Sequence, residues 1–223
     1  MPHVRAATAL IGFLFVSAAL AAPFAVQVGE ARIGLDAPPG FADTTFTGSP
    51  RLQELAESLT SPSNRILLFA ISDGDLRKFT LGDPLELRRS MIAVTSKELE
   101  REHVGAQRFA QISAAALPRS GAQPPAGAEL AEYIARQAPG QPALLGELRR
   151  DADVVSVLMG ERGAPASRSQ KAPYMLSSNT FMLLRGKALQ FVVFSLYESP
   201  ADVDWVRSIT ARWIDDLRRL NSR

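Results

Sequence analysis

The residue of this sequence best suited to acid–base chemistry is His103, which ends the run Glu98-Leu-Glu-Arg-Glu-His103. Histidine accepts and releases a proton near neutral pH. If the run is helical, Glu100 lies three residues before His103 on the same face, where the two could form a carboxylate–histidine dyad of the kind that activates a nucleophile. The same charges are typical of a solvent-exposed helix face, and that interpretation is favoured.

Asp73 and Asp75, together with Asp83, are the acidic residues that come nearest to a cation-binding pattern. Ca²⁺ prefers carboxylate and carbonyl oxygens, but a calcium loop supplies further oxygen ligands at fixed later positions. Those ligands do not follow Asp73-Gly-Asp75, and an ordinary turn is the favoured interpretation. We therefore assign no metal ligand and no cofactor-binding residue.

The composition excludes several reaction classes. The chain has 223 residues, no cysteine and two histidines, His3 and His103. Without cysteine there is no disulfide, thiolate zinc site or cysteine nucleophile. The sequence contains no Gly-x-Ser-x-Gly elbow, Walker loop, Gly-x-Gly-x-x-Gly or His-Glu-x-x-His motif. We predict no catalytic residue, although a hydrolase that uses His103 with Glu100 or a remote acid stays open.

The charge pattern does not favour nucleic acid as a partner. The formal net charge is +2, and no concentrated basic patch stands out. The doublets Arg88-Arg89 and Arg149-Arg150 could contact an anionic lipid or a phosphate. Such doublets more often lie at the ends of helices or strands, which is the favoured interpretation.

The N-terminal segment is predicted to be an export signal. Arg5 precedes an uncharged, mainly apolar run over residues 6–22, which contains the small-x-small site Ala19-Leu-Ala21. This order is typical of a secretory signal peptide. We expect residues 1–21 to be removed and residues 22–223 to form a single periplasmic or secreted domain without a membrane span. An uncleaved anchor is the alternative, because the apolar run approaches the minimum length of a span.

Hydrophobic periodicity places these candidates on a mixture of strands and helices. Strands are predicted over residues 24–28, 31–36, 65–72, 87–95, 153–161, 174–184 and 187–197. Helices are predicted after the Ser49-Pro50 cap, in pieces from Lys97 towards Leu117, over residues 128–137 and after Ser199-Pro200. Segments 118–127 and 162–173, rich in glycine, proline and alanine, are expected to be flexible loops and possible parts of an interaction surface.

The clearest secondary-structure signals of the sequence are two neighbouring segments near its C-terminus. Two β-rich runs meet at Arg185-Gly186, which predicts a hairpin. After Ser199-Pro200, Val206, Ile209, Trp213, Leu217 and Leu220 recur at helical spacing. This stripe predicts an amphipathic helix that packs on the hairpin, with Trp213 in the core and Trp205 near the edge.

Three segments carry a resemblance to known proteins: Gly34-Leu-Asp-Ala-Pro-Pro-Gly-Phe41, Arg185-Gly-Lys-Ala-Leu-Gln-Phe-Val-Val-Phe-Ser-Leu-Tyr197 and the closing helix with Trp205 and Trp213. Their order resembles uncharacterised exported bacterial proteins and the Mog1/PsbP-like fold. The resemblance implies an antiparallel sheet between helices, an α/β/α sandwich. It also implies a binding or assembly role, because members of that fold act mainly in this way, and it implies no catalytic residue.

Together these observations predict an α+β domain with a mainly antiparallel sheet flanked by helices. The expected function is a periplasmic, non-catalytic binding or assembly module whose partner is an envelope protein or a small ligand. The alternatives are an envelope hydrolase that uses His103 and a membrane-tethered envelope protein.

Overall fold

A computed structural model describes residues 24–117, 121–125, 127–164 and 172–222, and these residues form nine strands and five helices. The strands are β1 (Phe24–Val28), β2 (Ala31–Leu35), β3 (Phe41–Asp43), β4 (Asn64–Ser72), β5 (Arg89–Ser96), β6 (Pro142–Arg150), β7 (Val154–Arg162), β8 (Tyr174–Leu184) and β9 (Lys187–Leu196). The helices are α1 (Pro50–Ser58), α2 (Asp73–Thr80), α3 (Ala106–Ala116), α4 (Leu130–Arg136) and α5 (Pro200–Asn221).

Seven of the strands form one sheet in the order β3-β4-β5-β9-β8-β7-β6, and every neighbouring pair is antiparallel. Strands β1 and β2 form a separate antiparallel hairpin. Helices lie on both faces of the large sheet. The structure confirms the predicted α+β class with a mainly antiparallel sheet flanked by helices.

One face of the sheet is sealed by α5 and the β1–β2 hairpin. Side chains alternate along β8, so that every second residue from Tyr174 to Leu184 is buried. Trp213 of α5 is buried against this face, with its ring centroid 5.2 Å from that of Phe191, and its indole N–H donates to the carbonyl of Asp36 at 2.8 Å. The predicted packing of the Trp213 stripe on the hairpin is confirmed.

The last turn of α5 also holds the first hairpin. The Asn221 side chain accepts a hydrogen bond from the Gly34 N–H and donates one to the Gly34 carbonyl, both at 2.9 Å. The amide side chain therefore completes the backbone hydrogen bonding of β2 on the edge where none of the described strands pairs with it.

The opposite face is covered in two places. Helices α1 and α2 pack on β4 and β5, where Leu52 and Ala56 meet Phe69 and Ile92. Since the other side of β4 contacts the α5 core, residues 67–71 are buried on both faces, as their unbroken apolar run predicts. Helix α3 covers the far end of β7 and β9.

The turn between β8 and β9 has the predicted hairpin geometry. Arg185 and Gly186 have φ values of 49° and 74°, and the left-handed conformation at both positions is that of a type I′ turn. Glycine suits the second position for a further reason, because a Cβ there would overlap the imidazole of His103. The predicted hairpin is confirmed residue by residue.

The helix predicted to begin at Lys97 is wrong: residues 97–102 form turns and bends, residues 103–105 are irregular, and α3 begins at Ala106. The reason is a contact with a distant residue. Buried Lys187 donates from Nζ to the carbonyls of Glu100 at 3.1 Å and Glu102 at 2.8 Å. These two hydrogen bonds hold the segment in its non-helical conformation against β9.

The expectation of a flexible loop beginning at residue 162 is wrong at its first residue. Arg162 ends β7, is buried, and donates from Nε to the carbonyl of Gln137 at 2.9 Å and from Nη2 to that of Ile134 at 2.5 Å. Its guanidinium thereby caps carbonyls at the C-terminal end of α4. Residues 165–171 lie outside the described residues.

Other predictions also fall on residues that the structure does not describe. These are the signal peptide over residues 1–21 and, within the loop 118–127, residues 118–120 and 126. Among the helices of the described ranges, none combines the length and apolarity needed to cross a bilayer. The export signal and the single-domain boundary stay predictions.

Candidate functional site

A cleft of about 610 Å³ opens between α1 and the first residues of β4. We call it the α1–β4 cleft. It is bounded by the loop that enters α1, by one side of α1, by the turn after α1, and by Lys97 at the end of β5. Its volume lies within the range of roughly 300–1,000 Å³ that is usual for small-molecule sites.

Local sequence signals place α1 over this cleft. Ser49 is the N-cap, and its hydroxyl accepts a hydrogen bond from the Leu52 N–H at 3.5 Å, while Pro50 occupies the first turn. Leu52 and Ala56 are the buried residues of the helix and pack against Phe69. Leu52, Ala56 and Phe69 line the cleft, and its floor is therefore apolar.

Two hydroxyl groups at the back of the cleft are already hydrogen-bonded within the protein. Strand β3 ends at Asp43, and two threonines continue its pairing with β4. The Thr44 hydroxyl donates to the Phe69 carbonyl at 2.9 Å, and the Thr45 hydroxyl accepts from the Phe69 N–H at 3.1 Å. Thr45 also donates to Asp43 Oδ1 at 2.6 Å. The protons of both hydroxyls are thus used within the fold, and these bonds hold the wall of the cleft.

Three charged side chains line the cleft, and one of them is neutralised. Arg65 forms an ion pair with Glu100 at 2.8 Å and donates to the carbonyl of Gln27 at 2.6 Å. Glu57 accepts a hydrogen bond from Gln53 at 2.9 Å, and Lys97 donates to the carbonyl of Pro62 at 2.8 Å. Within the described part of the chain, no ion pair includes Glu57 or Lys97.

Neutral hydrogen-bonding groups also line or border the cleft. The Thr60 hydroxyl oxygen accepts from the Asn64 side-chain amide at 2.9 Å, so its own proton is available to another acceptor. The hydroxyls of Ser61 and Ser63 share one hydrogen bond at 2.8 Å. The cleft thus combines an apolar floor, a hydroxyl-bearing edge and one unpaired charge of each sign.

The structure does not bring His103 and Glu100 together as a dyad. His103 is exposed, rests against Gly186 and does not line the α1–β4 cleft. Glu100 is paired with Arg65 instead. The helix on which the predicted dyad depended is absent, because Lys187 binds the carbonyls of this segment.

Asp73 and Asp75 lie in the first turn of α2, so the predicted ordinary turn is wrong. The Ser72 hydroxyl accepts from the Asp75 N–H at 3.1 Å and donates to Asp75 Oδ2 at 2.8 Å. Acidic residues at this end of a helix are stabilised by its unpaired N–H groups and dipole. In the described ranges, no group of three or more histidine, aspartate or glutamate side chains could hold a metal ion.

Both basic doublets lie at strand ends and are paired with carboxylates. Arg88 pairs with Glu198, and Arg89 pairs with Asp202 at 3.1 Å while its guanidinium lies 4.1 Å from the ring centroid of Trp205. Their charges are used within the fold.

The second doublet is tied to neighbouring acidic residues. Arg149 binds Asp151 at 2.7 Å and Asp215 at 2.8 Å, and Arg150 binds Glu147 at 2.5 Å. Hydrogen bonds from Arg218 and Arg149 lower the pKa of Asp151 below its ordinary value. The favoured interpretation of both doublets agrees with these contacts.

Comparison with known proteins adds no family. No family model matches the chain, and no curated protein matches it. A search of solved structures finds the Ran-binding protein Mog1p of Saccharomyces cerevisiae, at 10% sequence identity and a TM-score of 0.36, covering 91% of this chain and 94% of that one. A TM-score of this size does not establish that the two proteins share a fold.

Sequence reasoning predicted α1 but missed the cleft. A signal was present on one side of the helix, where Gln53, Glu57 and Thr60 follow one another at spacings of four and three residues beside the buried Leu52 and Ala56. What this pattern lacks is Lys97, which lies far along the chain and reaches the cleft only because β5 pairs with β4.

Proposed function

We propose that this chain is an exported, non-catalytic binding module that takes a small ligand into the α1–β4 cleft. The observation that carries the proposal is the unpaired Glu57 and Lys97 in a cavity of about 610 Å³ with an apolar floor. Ligand sites typically combine such a floor with a few polar groups that orient the ligand. A small ligand is favoured over an envelope protein because the polar groups line a concavity.

The proposed location is the periplasm or the exterior. Its support is the order of charges and apolar residues over residues 1–21, which is that of a signal peptide. Mass spectrometry of the protein isolated from its host tests this part. A chain that begins near residue 22 supports export with cleavage, whereas an intact N-terminus in the membrane fraction would replace it with the tethered alternative.

Binding in the cleft is tested by thermal unfolding of the purified protein with a library of small metabolites and peptides. A ligand at 100 times its Kd stabilises the folded state by about 2.7 kcal/mol, which raises the Tm by several degrees. Gln53 lines the cleft, so Gln53→Trp should abolish the shift. The matched control is Glu54→Trp, because Glu54 is the next residue of α1, is exposed, and does not line the cleft.

Two results would overturn the proposal. One is a Tm shift of equal size in wild type and Gln53→Trp for every ligand found, which would locate binding elsewhere. The other is hydrolysis of an ester, amide or phosphate substrate that is lost in His103→Ala, which would favour the envelope hydrolase.

A further inference from the structure

The charges that remain unpaired in the α1–β4 cleft restrict the kind of ligand that fits it. Of the three charged lining residues, Arg65 is compensated by Glu100 at 2.8 Å. Glu57 and Lys97 remain, one of each sign, and they are not joined to each other by an ion pair. A ligand with a single charge would match one of them and leave the other unpaired, whereas a zwitterion matches both.

We infer, on the basis of the proposed function, that the cleft binds a short peptide with both termini free, its carboxylate at Lys97 and its ammonium at Glu57. The direction of the peptide follows from the position of the charges. Glu57 lies within α1, and Lys97 is held beside the turn after α1 by its hydrogen bond to the Pro62 carbonyl at 2.8 Å. The two charges therefore select one orientation of a zwitterionic chain.

The length of the α1 wall sets an upper limit on the length of the peptide. The wall from Gln53 to Thr60 spans about 10 Å at 1.5 Å per residue. An extended peptide advances about 3.3–3.6 Å per residue, so this wall accommodates about three residues. A tripeptide is therefore the longest peptide that this wall accommodates.

The remaining lining groups suit the body of such a peptide. The Thr60 hydroxyl, whose oxygen is occupied by Asn64, can donate to a peptide carbonyl. The floor formed by Leu52, Ala56 and Phe69 is apolar and offers contact to aliphatic side chains rather than to charged ones. Leucine side chains are thus expected to bind more tightly than charged ones.

The test is isothermal titration of the purified protein with trileucine and three derivatives: the N-acetyl peptide, the C-terminal amide and the peptide blocked at both ends. Each charge-assisted contact contributes about tenfold in affinity. We expect blocking either terminus to weaken binding about tenfold, and blocking both to weaken it more.

Substitutions connect each terminus to its partner. Lys97→Gln should weaken trileucine about tenfold and leave the affinity for the amide unchanged, because the amide has no carboxylate to lose. Glu57→Gln should weaken trileucine in the same way and leave the N-acetyl peptide unchanged. The matched controls are Lys78→Gln and Glu54→Gln, since both residues are exposed and outside the cleft.

The outcomes separate this inference from the proposed function. If all four peptides bind with equal affinity, or if none binds while another ligand still gives a Tm shift that Gln53→Trp removes, the peptide inference is wrong and the binding module stands. If no ligand of any class gives a shift that depends on the cleft, the proposed function fails and the inference fails with it.

Discussion

Helices α5 and α1 cover opposite faces of the same sheet and do so in different ways. Helix α5 has 22 residues and buries eight of them, including Trp213, against β8, β9 and the first hairpin. Helix α1 has nine residues and buries two, and its other side borders an open cleft. The difference separates a face that stabilises the fold from a face that has polar groups available for a ligand.

The polar groups on the two faces of the sheet also differ: those on the α5 side are hydrogen-bonded and buried, whereas two charged groups on the α1 side are exposed. On the α5 side, the Thr210 hydroxyl donates to the Ser178 hydroxyl at 2.7 Å, and both residues are buried. On the α1 side, Glu57 and Lys97 are exposed and have no charged partner among the described residues. Satisfied buried groups add rigidity, whereas exposed unpaired charges cost the fold little and remain available for binding.

The largest expected effect is on the α5 face. Trp213→Ala removes a buried ring that contacts Phe191 and a hydrogen bond to Asp36, and should lower the free energy of unfolding by about 3–5 kcal/mol. Denaturant unfolding followed by far-ultraviolet circular dichroism measures it. Trp205→Ala is the control, with a smaller loss expected because Trp205 is only partly buried. A loss below that of the control would contradict the assignment of α5 as the stabilising face.

A smaller effect is expected on the cleft side. Ser49→Ala removes the N-cap of α1 and should cost about 1 kcal/mol, whereas Ser49→Gly should cost only a few tenths. Native-state hydrogen exchange should show faster exchange of the α1 amides and unchanged exchange of the α5 amides. Equal acceleration in both helices would mean that the two faces unfold as one unit and would remove the distinction drawn above.

The smallest effect concerns the exposed ion pairs beside α5. Hydrogen bonds from Arg218 and Arg149 lower the pKa of Asp151 in the folded state. Because its pKa is lower in the folded than in the unfolded protein, the Asp151 carboxylate stabilises the fold at pH values above the unfolded pKa of about 3.9. This stabilisation is lost as the pH falls through the pKa of the folded state. In Asp151→Asn, the midpoint of urea unfolding should be slightly lower than in wild type at pH 7. Below about pH 4, this midpoint should decrease less steeply with falling pH than it does in wild type. An unchanged pH profile would show that this cluster does not contribute.

Local signals were enough to predict the α5 side of the molecule. The hairpin followed from Arg185-Gly186 between two β-rich runs, and α5 followed from its cap and apolar stripe. These features depend on residues close in sequence, for which propensity and periodicity are informative. The packing of α5 on the hairpin could be predicted because each of the two has an apolar face that must be buried.

Elsewhere the pattern was broken by backbone irregularities or by distant contacts. Strand β6 was missed, and its pairing with β7 shifts register twice, between Leu144 and Gly146 and between Glu147 and Arg149, so that its side chains do not alternate regularly. Helix α2 was missed because Gly74 in its first turn resembles a turn residue, although Ser72 caps the helix. The cleft was missed because Lys97 lines it together with Glu57 only through the pairing of β5 with β4.

The pair of hydrogen bonds between the Asn221 side chain and the Gly34 backbone has a consequence for the order of folding. The two residues are 187 positions apart, so a ribosome that builds the chain from its N-terminus completes the first hairpin long before it adds the side chain that secures it. Until the final turn of α5 is made, the early hairpin has an unsatisfied strand edge and no helix to lie on. Nascent chains that stop short of residue 221 should therefore expose that edge to proteases and chaperones, and the last few residues complete the attachment of the first hairpin.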